Sequence, residues 1–459
     1  MDDLADRAAF RQARQLQLAD RLAARGARTG RSSGLVVSGS LRRVVGLTLV
    51  AEGCHAEIGT RCQIEDEDGP ALEAEVVGFS GDKLYLMPAG QLTHIRPNAR
   101  VVPLGRQAEV PLGHSMLGRV IDGEGQPIDG RGRLRPERFG RLHAPPLNPL
   151  VRAPVEKPLD VGVRALNGLL TIGRGQRIGL MAGSGVGKSS LLGMMTRHTD
   201  ADVIVVALIG ERGREVRDFV VNTLGEAGLR KAVVVATPAD QSPLMRLRAA
   251  YLATAIAEGF RDEGKHVLLL MDSLTRFAQA QREIGLAIGE PPATRGFPPS
   301  VFTKIPQLIE RAGNAEVGSG TITGVYTVLV EGDDMQDPVG DTARAILDGH
   351  IVLTRDLADA GHYPAIDIEQ SVSRVARELQ TREHQQAVIQ LRALYSAYRR
   401  NQDMIKLGAY SRGSDPVVDR AIALWPRIEA FLKQATDEPS SLSQSRKWLT
   451  DLLAAVPAG

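Results

Sequence analysis

Apolar and polar positions follow four different patterns along this chain of 459 residues, and the changes divide it into four segments. Residues 1–25 contain neither Pro nor Gly. Ala5, Ala9, Ala13, Leu16, Leu18 and Leu22 form a weak stripe among Arg and Gln, which predicts a helix. Residues 26–103 hold short β-rich runs: Leu35–Ser38, Val44–Val50, Arg61–Ile64, Ala71–Phe79 and Lys83–Met87. Turn signals such as Glu67-Asp68-Gly69-Pro70 and Ser80-Gly81-Asp82 separate them, so a small β-barrel is expected. Over residues 104–375 apolar runs alternate with helical patterns. The runs are Arg177–Met181, Val203–Ile209, Ala232–Ala236, Val267–Met271, Thr321–Val330 and His350–Leu353. Continuously apolar strands between helices predict a sheet buried on both faces, hence an α/β domain. Residues 376–459 read as helices. Asp415-Pro416 looks like an N-cap with Pro at the first helical position, and Ser441 with Gln444 fits a capping box. Pro426 is expected to kink its helix.

Composition narrows the class without changing this outline. Hydrophobic residues at 43% and charged residues at 24% are ordinary for a globular protein and argue against a disordered, collagen-like or membrane-embedded chain. Lys+Arg 56 against Asp+Glu 54 leaves a net charge of +2, which does not suit a nucleic-acid-binding surface. The first 103 residues carry only Phe10, Phe79 and Tyr85 as aromatics, so the barrel lacks the stacking platforms of an RNA binder. No stretch approaches the roughly 18 apolar residues of a membrane span, and no signal peptide is visible, so a cytoplasmic protein is expected. Cys54 and Cys62 show no metal-site spacing and are read as reduced thiols. The N-terminal segment through Arg31 has seven Arg and four Asp. It is either a solvated helix or a docking helix for a partner.

The chemistry concentrates in Ala182-Gly183-Ser184-Gly185-Val186-Gly187-Lys188-Ser189, between the strand Arg177–Met181 and a helical run beginning at Ser190. Strand, glycine-rich loop and helix in that order make a phosphate-binding loop. The glycines let backbone N–H groups curl around phosphate oxygens, and the helix turns its positive end to them. Residues 183–190 are the candidate nucleotide contacts. Lys188 supplies a point charge to the β- and γ-phosphates and Ser189 a hydroxyl ligand to Mg²⁺. Asp272 ends an apolar strand, where a carboxylate holds the Mg²⁺ water shell or merely caps the next turn. Glu211, after the strand Val203–Ile209, either orients the attacking water or belongs to a solvated charged loop. A guanidinium is also required for the charge on the transferring phosphoryl group, and Arg344, Arg355 and Arg374 are not separable on spacing.

Taken together, several long motifs resemble the catalytic ATPases of type III protein export, which are similar to the catalytic subunits of rotary ATP synthases. Beside the phosphate loop they are Gly210-Glu211-Arg212-Gly213-Arg214-Glu215, Met271-Asp272-Ser273-Leu274-Thr275-Arg276-Phe277-Ala278, Asp333-Asp334-Met335-Gln336-Asp337-Pro338, Leu347–Leu353 and His362-Tyr363-Pro364-Ala365-Ile366-Asp367. The resemblance spans nearly the whole chain. It implies an α/β fold with a RecA-like P-loop ATPase core, an N-terminal small β-barrel and a C-terminal helical domain. It implies a homo-hexamer with ATP at subunit interfaces. Glu211 matches the catalytic glutamate, Arg212 the adjacent arginine near the γ-phosphate and Arg374 the arginine finger reaching a neighbour's site. Tyr363 matches the aromatic stacking on adenine, and Tyr410 closes that pocket. The segment from Gly289 to Pro299 is either a plain connector or the loop that meets a coiled-coil central stalk.

Within the family the flagellar branch fits best, through Arg43–Leu47, Ala51–Cys54 and Gly78–Leu84. That branch implies a stator-like regulator dimer on the N-terminal helix, holding the enzyme peripherally at the inner-membrane export gate with its substrates and chaperones. The expected function is Mg²⁺-dependent ATP hydrolysis that drives unfolding and export of flagellar proteins. An injectisome ATPase is the alternative with the same chemistry. A rotary synthase subunit is opposed by the Arg-rich N-terminus and the wording of the loop. An RNA-translocating ring helicase is opposed by the lack of barrel aromatics, and a non-catalytic ring subunit by the glutamate at 211.

Overall fold

The computed structural model describes residues 37–65, 71–90, 92, 95–105, 109–330 and 337–455. The helix expected over residues 1–25 lies outside the described residues, as does the 333–336 part of one motif. The chain folds as two compact units, the first holding most of a β-barrel and the second everything from residue 109 onward together with the short stretches Gly46–Thr48 and 87–92.

Six strands close the barrel: β1 (Gly39–Val45), β2 (Thr48–Glu52), β3 (Arg61–Glu65), β4 (Leu72–Ser80), β5 (Lys83–Pro88) and β6 (Arg100–Pro103), in the order β1-β2-β5-β4-β3-β6. Alternation sends Leu49, Cys62, Ile64, Val76, Leu86 and Val101 inward, all 2% exposed or less. Both cysteines are buried and free. The barrel was foreseen, but one of its runs is corrected. Val44–Val50 is not a single strand, because Gly46 adopts φ 57° and turns the chain between β1 and β2. Of the expected run Leu35–Ser38, residues 37 and 38 precede β1 and the rest lies outside the described residues.

The second unit begins with β7 (Glu109–Leu112), β8 (Val120–Ile121) and β9 (Arg138–Arg141), of which β7 and β9 pair with each other. The main sheet follows with β10 (Arg177–Ala182), β11 (Val203–Ile209), β12 (Ala232–Thr237), β13 (His266–Asp272), β14 (Gly313–Asn314), β15 (Thr321–Leu329), β16 (Gly349–Leu353) and β17 (Ile366–Ser373). Its order is β17-β16-β10-β15-β13-β11-β12-β8, with β14 beside β15. All pairs from β16 through β8 are parallel, while β17 and β14 run antiparallel to their neighbours. Every residue of β11, β12 and β13 is buried, as expected of a sheet with helices on both faces. The strand β17 was not foreseen. It lies at the sheet edge, and its sequence Ile-Asp-Ile-Glu-Gln-Ser-Val-Ser has only one apolar face.

Three long helices end the chain, Arg382–Lys406, Pro416–Leu432 and Leu442–Ala454. Leu391, Leu424, Ile428, Phe431 and Leu449 join one hydrophobic core with the main sheet. Asp415 caps its helix by accepting from Val417 N–H at 2.8 Å, and Ser441 and Gln444 form the reciprocal capping box. The helix Pro416–Leu432 runs unbroken through Pro426.

Candidate active site

Parallel strands collect their carboxyl ends on one side of a sheet, and loops leaving those ends meet there. Ala182, Ile209, Asp272 and Leu329 end four such strands, and a cavity of about 780 Å³ opens beside them. The phosphate loop leaves β10 and enters the helix Lys188–His198 through Gly185 (φ 81°) and Gly187 (φ 93°). Those left-handed values suit glycine. Gly187 also lies against Tyr363. A Cβ there would lie 3.4 Å from Cδ1 and Cε1 of the Tyr363 ring. Gly183, Ser184, Gly185, Gly187, Lys188, Ser189 and Ser190 line the cavity. Val186 is buried in the core and does not line the cavity.

Opposite the loop, one ammonium holds two carboxylates together. Lys188 Nζ is 2.5 Å from Asp272 Oδ1 and 3.6 Å from Glu211 Oε1. Asp272 Oδ1 also accepts from Thr327 Oγ1 at 2.7 Å, which fixes its plane. Glu211 follows β11 after Gly210, whose φ of 67° turns the chain into the cavity. Burial pushes the Glu211 carboxyl up to about 7. The nearby Asp272 charge and a hydrogen bond with Glu215 add to the rise, while Lys188 opposes it. Glu215 is held below its usual range by the same hydrogen bond. Its carboxylate also meets Arg212 at 3.2 Å, and the Arg212 side chain stands 72% exposed on the cavity rim. The Ser189 hydroxyl and Asp272 carboxylate are hard oxygen donors of the kind a small divalent cation takes. Among the described residues no group of three or more His, Cys, Asp or Glu is placed to hold a metal.

Residues 162–373 match the ATP synthase alpha/beta family, nucleotide-binding domain, and residues 380–451 the T3SS EscN ATPase C-terminal domain. The flagellum-specific ATP synthase of Pseudomonas aeruginosa is 60% identical over 92% of this chain and 94% of its own. The chain belongs to the flagellar and type III secretion ATPase family. The type 3 secretion system ATPase of Xanthomonas euvesicatoria is 48% identical over 90% of this chain and 93% of its own. Among solved structures, the assembled ATPase EscN of enteropathogenic E. coli superposes with a TM-score of 0.86 at 44% identity, covering 90% of this chain and 99% of that one. The same ATPase in complex with its central stalk EscO gives 0.83 at 43% identity, with the same coverage.

For a type III ATPase the positions of the three uncommitted arginines matter, and the fold separates them. Arg355 follows β16 and donates to the Ser184 carbonyl at 3.3 Å, so it belongs to its own chain's phosphate loop. Arg374 lies at the other end of the strands. Ser373 pairs with Gly349 at the start of β16, whereas Leu353 at its finish pairs with Ala182 beside the loop. The strand's length puts roughly 13 Å between the two ends. Arg374 donates from its backbone to the Asp348 carbonyl and from Nη2 to the Arg344 carbonyl, so Arg344 is at that far end too. Tyr363 stands against Gly187 as described, without itself lining the cavity. Tyr410 is not among the residues lining the cavity, and its hydroxyl donates to the Asp415 carbonyl and Asp419 Oδ1.

Two further residues enter the site without having been singled out. Arg276 lines the cavity and packs its stem on Gly210, where a Cβ would lie 3.1 Å from its Cγ. Glu215 shares its hydrogen bond with Glu211. Both fall inside motifs that stood out as wholes. The four-residue spacing of Glu211 and Glu215 across a helix start was the available signal for the second.

Proposed function

We propose that the chain is the Mg²⁺-dependent ATPase of a flagellar export apparatus. It works as a ring of six copies in the cytoplasm, at the inner-membrane export gate, and uses hydrolysis to drive unfolding and export of flagellar proteins. One observation carries the reading. Each copy has a full phosphate cradle, and its Arg374 lies at the opposite end of the strands, where another copy's site can use it.

ATP enters the cavity with its phosphates on the loop's N–H groups and the start of the helix Lys188–His198. Lys188 neutralises the β- and γ-oxygens. Mg²⁺ when bound supplies charge neutralisation at the phosphate oxygens, and Ser189 with Asp272 are the residues that would hold it. Two protein donors leave most of its coordination to phosphate and water, as that ion prefers. Glu211 accepts from the attacking water and aims it at the γ-phosphate. Arg374 of a neighbouring copy meets the charge that builds in the transition state. Tyr363 stacks on adenine, and Tyr410 bounds the same region from the C-terminal helices.

Partners follow the same logic. The Gly289–Pro299 segment meets a coiled-coil stalk, as EscN is solved with its stalk EscO. Glu290 staples the base of that segment by accepting from Ser300 N–H at 2.8 Å, and residues 291–295 are exposed. The N-terminal helix takes a regulator dimer, and substrates and chaperones approach from the cytoplasm. Among the described residues no helix is long and apolar enough to cross a membrane. No nucleic-acid partner is expected. The injectisome reading draws on the 48% identical Xanthomonas relative; the 60% identical flagellar one favours the first.

The test replaces Glu211 by Gln in the source cell and follows swimming and released flagellin. Loss of both, with the variant at normal level and still binding ATP, is expected. Normal motility with failure of another secreted set would move the assignment to an injectisome. Wild-type hydrolysis by purified Glu211→Gln would remove the glutamate from its role.

A further inference from the structure

The C-terminal helices are tied to the nucleotide site by a backbone hydrogen bond. The helix Pro416–Leu432 ends at Lys433, and the next residue, Gln434, donates its backbone N–H to the Tyr363 carbonyl at 2.9 Å. Gln434 is 5% exposed and its side chain is fully engaged. Its Oε1 accepts from the Arg164 backbone N–H at 2.7 Å, and its Nε2 donates to the carbonyls of Gly162, at 2.8 Å, and Glu438. Arg164, 2% exposed, closes the same knot. Its guanidinium donates to the carbonyls of Ala430 at 3.0 Å and Lys433 at 2.9 Å. It also pairs with Glu438 and lies 3.8 Å above the Trp448 ring. The carbonyls at a helix C-terminus attract a cation, so the knot forms where the helix most favours one. Any broken bond here would leave a buried polar group unpaired, which keeps the knot rigid.

On the far side of that bond the Tyr363 ring is 45% exposed and faces Gly187 at the mouth of the phosphate loop. We infer that Gln434 is a positioning residue for the nucleotide: it pins the Tyr363 carbonyl and so sets the ring plane offered to the base. The inference rests on reading Tyr363 as the adenine-stacking residue. Lys188 opens a helix, Glu211 follows β11 and Asp272 ends β13, and none of them takes part in the knot. A disturbance of the C-terminal helices therefore reaches nucleotide affinity without reaching the phosphoryl chemistry.

Steady-state hydrolysis of Gln434→Met, Gln434→Glu, Tyr363→Ala and the Tyr363→Ala/Gln434→Met double variant tests this, with each fold checked by thermal unfolding without nucleotide. Both Gln434 variants are expected to raise the KM for ATP roughly 3- to 10-fold, the range of one ring contact, with kcat within about twofold. Tyr363→Ala raises KM by at least as much, and adding Gln434→Met to it changes KM by less than about twofold. Independent, multiplying effects in the double variant would overturn the inference alone, as would a fall in kcat at unchanged KM. An unchanged KM in Tyr363→Ala would overturn the stacking reading and the inference with it. If the Gln434 variants do not fold, Glu438→Ala loosens the knot from its half-exposed rim. It should raise KM in the same direction, and an unchanged KM there would overturn the inference.

Discussion

Glu211 is pulled by two opposing environments, and its role depends on the balance. Burial, the Asp272 carboxylate and the Glu215 hydrogen bond favour the protonated form, while Lys188 favours the charged one. A group that must be ionised to orient water, and whose carboxyl is raised to about 7, gives a rate that climbs as pH rises through neutrality. The kcat/KM profile of the free enzyme should therefore show a rising limb near pH 7. In Glu215→Gln the charged neighbour is gone, so the limb should move toward acid; a limb that stays in place would contradict the carboxylate pair. Among the arginines, Arg344, Arg355 and Arg374 are alike in sequence because each follows or precedes a strand. What distinguishes them is which end of β16 they are near, and that depends on a strand register.

The phosphate loop as an element was legible because its constraints are local. Glycine is required where φ is positive, lysine where the loop closes and a helix where the loop ends, and all of these lie within eight residues. Gly187→Ala tests the element. Its φ of 93° strains any side chain, and the added methyl would meet the Tyr363 ring at 3.4 Å. The variant should lose nucleotide affinity by roughly tenfold or more, with about 1–2 kcal/mol of destabilisation from the left-handed backbone. Isothermal titration with ATP and thermal unfolding read the two effects apart. The helix caps at Asp415 and Ser441 were equally legible, for the same reason of short range. The edge strand β17 was not, because half of its side chains face away from the core and it reads as polar. The false strand Val44–Val50 failed in the opposite way: its apolar run hid a turn at Gly46.

For the whole molecule, Arg374 lies away from its own phosphate loop, and the role proposed for it would make activity a property of neighbours. Lys188→Ala and Arg374→Ala should each be inactive alone. Mixed before assembly, they should recover about a quarter of wild-type activity, since a head-to-tail interface pairing the intact loop of one with the intact arginine of the other is complete. No recovery would place Arg374 outside the neighbour's site. Stability has its own pH signature through His266. This side chain is 6% exposed, its Nε2 has no partner among the described residues, and burial lowers it to about 4. Between about 6.5 and 4 the unfolded chain takes up a proton that the folded chain refuses, so stability falls as pH drops through that window. The loss is of order 3 kcal/mol at most. The thermal midpoint should drop from pH 7 to pH 5, and drop less in His266→Gln. The residue types, the loop and most of the strands and helices came from the chain alone, since near neighbours impose them through backbone geometry and burial. Which end of the strands each arginine occupies, how Tyr363 is held by Gln434 some seventy residues away, and how Glu211 meets Asp272 came from folding. Those relations join residues far apart in sequence through strand pairing and helix packing, and no local pattern records them.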